Sequence, residues 1–72
     1  MSYYEPLVFA VMFEYPEDPD CWFVAKDFYG RTKHSTALSE AIRFPDHTAA
    51  EIALDTYPEC DKQWATIVEV LP

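Results

Sequence analysis

Two cysteines and two histidines, Cys21, His34, His47 and Cys60, are the residues whose types could together hold a zinc ion. They make a nominal Cys2His2 set, but they are spread along the chain with no paired C-x-x-C or H-x-x-x-H. Structural zinc sites rely on such pairs. The same residues could supply a thiol nucleophile with a histidine base. That chemistry needs a thiolate favoured by positive surroundings. Cys21 follows Asp20, and Cys60 stands between Glu59 and Asp61. Neighbouring carboxylates oppose ionisation of a thiol. The expectation is therefore no metal, no cofactor and no enzymatic activity, with both cysteines as free, small, buried apolar residues.

Carboxylates dominate the remaining chemistry. Thirteen Asp and Glu stand against five Lys and Arg, a formal net charge of -8. Eight of the acids fall in three clusters: Glu14, Glu17, Asp18 and Asp20; Glu51 and Asp55; and Glu59 and Asp61. A calcium loop needs a central glycine and flexible spacing. The stretch Glu17-Asp18-Pro19-Asp20 has proline instead. The single Gly30 cannot build a phosphate loop. The basic group Arg31, Lys33 and His34 is too small to hold nucleic acid against the total field.

A field of this sign repels nucleic acid and membrane surfaces and attracts basic partners. Carboxylates one helical turn apart are about 5–6 Å apart, loosely comparable with phosphates about 7 Å apart along a strand. The competing explanation is solubility, for which a net charge of magnitude about 2–8 is ordinary. The chain is also half hydrophobic, with five Tyr, five Phe and two Trp. It can fold, and Tyr15, Trp22 and Tyr57 are candidate aromatic anchors at an interface.

These side chains must be positioned by few elements, because 72 residues make one domain, 1–72. Leu7 to Tyr15 alternates at period two and is apolar on both faces, which suits a central strand. Pro16 to Asp20 is a turn. Cys21 to Phe28 is a second strand, paired with the first as an antiparallel hairpin. Tyr29 to Ser39 reads as a loop, and Ala41 to Phe44 as a short third strand. Asp46 is a helix N-cap, the helix runs over 46–57, and Pro58 ends it. Lys62 to Leu71 is the last strand. The order β-β-β-α-β predicts an α+β fold, a four-stranded, mainly antiparallel sheet with one helix on one face. The other face should carry an unusually large apolar patch.

The apolar run Leu7 to Phe13 is too short to span a bilayer and follows Glu5 rather than a basic residue. The expectation is a cytoplasmic protein with no membrane partner.

The stretch Leu38-Ser39-Glu40-Ala41-Ile42-Arg43-Phe44, with Asp46 and Ala50, resembles small phage and prophage proteins in which a short strand ends in Phe, turns, and opens a helix with Ala. The ending Ile67-Val68-Glu69-Val70 is similar as well. The resemblance covers about half the chain and is one of packing. Acidic phage proteins of this kind include anti-CRISPR inhibitors, some of which occupy the DNA-binding lysines and arginines of a CRISPR effector complex. It implies a DNA-mimicking, non-catalytic inhibitor or adaptor docking on a basic, nucleic-acid-handling protein. The rival reading is a self-associating structural domain, a homodimer joined through the apolar sheet face at Val8, Ala10 and Met12.

Overall fold

The computed structural model describes residues 7–71. Strands β1 (Val8–Glu14), β2 (Cys21–Lys26), β3 (Thr32–Ser35) and β4 (Ala65–Val70) form one open sheet in the order β3-β2-β1-β4, antiparallel at each pairing. Helix α1 (His47–Leu54) and the single-turn helix α2 (Glu59–Lys62) lie between β3 and β4 in the chain. The α+β architecture with one main helix is as the sequence predicts.

Period two explains β1. Phe9, Val11 and Phe13 point to the face that meets α1, and Val11 and Phe13 are fully buried there with Val24 and Ala50. Ala50 has no side chain beyond Cβ, so α1 approaches β1 closely. The Asp46 carboxylate caps α1 by accepting the Ala49 N–H at 2.7 Å.

Several predicted elements differ. The third strand is Thr32–Ser35, inside the stretch read as a loop. It is an edge strand of polar residues, so it carries no apolar alternation to reveal it. Ala41 to Phe44 is instead an extended wedge. The β1–β2 register ends at Met12↔Phe23, and beyond it the wedge fills the fork between the strands. Ile42 donates its N–H to the Val24 carbonyl at 2.9 Å, and Phe44 and Phe9 exchange N–H···O bonds at 2.8 and 2.9 Å. The helix also stops at Leu54 rather than 57, and Pro58 opens α2: its carbonyl accepts from the Asp61 and Lys62 N–H groups.

On the face away from α1, where the sequence predicts a large apolar patch, Val8, Met12, Val68 and Val70 are each half-buried. The 3-10 turn Leu38–Glu40 packs against β2. Glu40 reaches Lys33 at 3.3 Å, and Arg43 Nη1 donates to the Leu38 and Ala41 carbonyls, each at 2.8 Å. Ala10, Phe23 and Ala41 are buried together as a second small core, leaving Met12, Val68 and Val70 half-buried around it.

Candidate partner-binding surface

The turn after β1 gathers the densest acid. Asp18 donates its N–H to the Tyr15 carbonyl at 3.1 Å, closing the turn. Its carboxylate then takes two donors: Oδ1 accepts the Asp20 N–H at 2.9 Å, and Oδ2 accepts Trp22 Nε1–H at 2.7 Å. The Asp20 N–H, and next the Trp22 indole, hold the Asp18 carboxyl below the usual carboxylate range.

Tyr15, at the end of β1, connects this turn to α2. Its hydroxyl donates to Asp61 Oδ1 at 3.1 Å. Burial, and then the Asp61 carboxylate, push its phenol up. The chain after α2 is fixed in turn: the Trp64 N–H donates to the Asp61 carbonyl, and the Glu14 N–H to the Trp64 carbonyl, both at 3.0 Å. The result is an open groove of about 610 Å³ lined by Tyr15, Pro16, Glu17, Asp18, Pro19 and Trp64. Trp64 is 37% exposed within it, and Glu17 and Asp20 are exposed on the turn. An aromatic and proline floor edged by carboxylates can stack a cation or a planar guanidinium while supplying opposite charge.

The sequence-predicted residues divide sharply. Tyr15, Glu17, Asp18, Asp20 and Asp61 belong to this end of the sheet, with Trp22 held to it through Asp18. Glu14 is exposed on β1 opposite Cys21. Glu51 is elsewhere, on α1, paired with His47 at 2.7 Å. Asp55 and Glu59 share Lys62 at 3.2 and 3.3 Å, and Asp55 first, then Glu59, raise the lysine's pKa. Asp55 and Glu59 are thus locally offset by one shared lysine. Tyr57 lies outside this groove. It is half-buried, its ring 5.1 Å from that of Phe13 and its hydroxyl 3.1 Å from His34 Nε2. Burial, then Asp61, raises its pKa. Trp64, Pro16 and Pro19 are the members sequence reasoning missed as a site. In the sequence Trp64 is only one position of a last strand expected from Lys62, whereas β4 starts at Ala65 because Lys62 belongs to α2; nothing in its spacing points back to the β1–β2 turn.

The zinc-type residues do not meet. Cys21 is on β2, His34 stacks against Tyr57, His47 packs edge-on to Phe9 at 5.7 Å, and Cys60 is on α2. Among the described residues no three His, Cys, Asp or Glu side chains gather as metal ligands. Both cysteines are free, but neither is buried as predicted: Cys21 is half-buried and Cys60 exposed. The single turn of α2 turns Asp61 and Lys62 toward the body and Cys60 outward. Among the described residues no helix is long and apolar enough to cross a membrane. Compared with protein-family models, curated proteins and solved structures, the chain matches none.

Proposed function

We propose that this protein is a non-catalytic inhibitor or adaptor that docks on a basic surface of a nucleic-acid-handling protein, in the manner of an anti-CRISPR-like phage protein. The observation that carries this reading is the groove at the β1–β2 turn, where Tyr15 and Trp64 form an aromatic floor beside Glu17, Asp18 and Asp20. The net charge of -8 steers such a partner in from a distance, and the groove supplies the desolvated contact that a diffuse field cannot. Electrostatics governs the rate of encounter, and the aromatics govern how long the complex lasts.

The test is capture of partners from a bacterial lysate by the purified protein, followed by association rates with the captured partner at low and high salt. A basic partner, with an association rate that falls with salt and falls further in Glu17→Lys, supports the reading. A partner bound equally well by Glu17→Lys at all salt concentrations contradicts it.

A further inference from the structure

The most exposed aromatic pair among the described residues is at the other end of β2. Phe28 is 95% exposed and Tyr29 76% exposed, at the tip of the β2–β3 hairpin. The tip is rigidly built. Asp27 Oδ1 accepts the N–H groups of Tyr29 at 2.8 Å and Arg31 at 2.9 Å. The Asp27 N–H donates to the Arg31 carbonyl at 2.8 Å, and the Gly30 N–H to the Asp27 carbonyl at 3.0 Å. Gly30 supplies the positive φ of 76° that the turn requires. The rings meet edge-on at 5.5 Å, and the Arg31 guanidinium lies 5.1 Å from the Tyr29 ring centre. A small domain gains nothing in stability by ordering its turn to hold a phenylalanine in water. Ordered aromatics with an arginine are the composition of an interface anchor.

Charge and shape say what the tip fits. Three of the five Lys and Arg of the chain, Lys26, Arg31 and Lys33, belong to this hairpin; Lys33 is paired with Glu40 at 3.3 Å, while Arg31, 3.5 Å from Asp27, keeps a largely exposed guanidinium. The groove at the opposite end has the complementary chemistry: Tyr15, Trp64 and two prolines for a ring, and the exposed Glu17 for a guanidinium. The two features cannot meet within one molecule, because β2 separates them by six residues, about 20 Å. We infer that the Phe28-Tyr29-Gly30-Arg31 tip of one copy docks in the Tyr15–Trp64 groove of a second copy, head to tail. Such a contact uses different patches on the two copies, so it leaves a free tip and a free groove at the ends and grows into short chains. The net charge of -8 on each copy limits their length. The inference uses the groove of the reading above but requires no foreign partner, so each can fail alone. Self-association through the groove would also compete with any basic partner for the same floor.

The experiment is sedimentation velocity and amide and indole NMR of the purified full chain, from micromolar to millimolar concentration. The expected result is an average mass rising with concentration, with shifts at both Gly30 and the Trp64 indole. A Phe28→Ala/Tyr29→Ala variant should associate about thirtyfold more weakly, as expected for loss of aromatic anchors. Glu17→Arg, a surface change that leaves the turn's hydrogen bonds intact, should likewise associate much more weakly. Mixing these two variants is decisive: one has only a groove and the other only a tip, so together they should form a dimer that grows no further. A chain that stays monomeric at millimolar concentration overturns the inference. So does association that survives both variants, or a mixture that fails to pair.

Discussion

Asp18 accepts the Trp22 indole N–H at 2.7 Å and so ties the turn after β1 to the strand that follows it. The same carboxylate holds the Asp20 N–H. Asp18 is therefore the frame of the acidic turn, while Glu17 and Asp20 are its free charges. Reversing the charge of all three would confuse two effects; reversing Glu17 and Asp20 alone isolates the charge.

The Trp22 indole proton should report the state of Asp18. The Asp18 carboxyl is held low in the folded chain, so its contribution to stability is fully present above the ordinary aspartate pKa of about 4. It is lost as pH falls through the depressed folded value. An NMR titration should show the Trp22 indole resonance moving only below that pH. Asp18→Asn should abolish the movement, because a side-chain amide has no proton to titrate in this range.

Tyr15 offers the opposite sign. Burial and Asp61 raise its phenol, so the stability due to the neutral hydroxyl is present below the ordinary tyrosine pKa of about 10 and lost as pH rises through the raised value. Asp61→Asn should bring the Tyr15 titration back only part of the way, since burial, the larger cause, remains. Phenolate absorbance, with Tyr15→Phe subtracted to identify the residue, measures this.

Strands β1, β2 and β4 and the capped start of α1 were legible because each is half-buried and shows its period or cap in residue types. The edge strand Thr32–Ser35 was not, since Thr-Lys-His-Ser has no apolar alternation and its one packed ring, on Phe13 and Tyr57, is the polar His34. Ala41 to Phe44 has strand composition but becomes a wedge, because the 3-10 turn precedes it and Pro45, which lacks an N–H, follows. The acidic turn could be read directly. That Trp64, far along the chain, completes its floor could not, because that depends on Pro58 beginning a helix rather than simply ending one.

Removing the α1 cap with Asp46→Ala should cost about 1 kcal/mol, lowering Tm by roughly 4–8 °C in a domain of this size. Thermal unfolding followed by circular dichroism checks it, and the groove should be unaltered, since it is built from the β1–β2 turn and the segment after α2.

Phe13 is fully buried between α1, Tyr57 and His34. Phe13→Ala should cost about 3–5 kcal/mol, a large part of the stability of so small a domain. Denaturant unfolding should show a midpoint near zero or a chain unfolded in buffer.

The most direct test of the groove as a cation-docking site is a residue-resolved NMR titration with an arginine-rich peptide, with a glutamate-rich peptide of equal length as control. Docking in the groove predicts shifts concentrated at the Trp64 indole, Tyr15 and the Glu17 to Asp20 turn, strongly reduced in Glu17→Lys/Asp20→Lys and absent with the acidic control. Shifts spread evenly over the carboxylates, or centred on Glu51, Asp55 and Glu59 of the helical side, would contradict it.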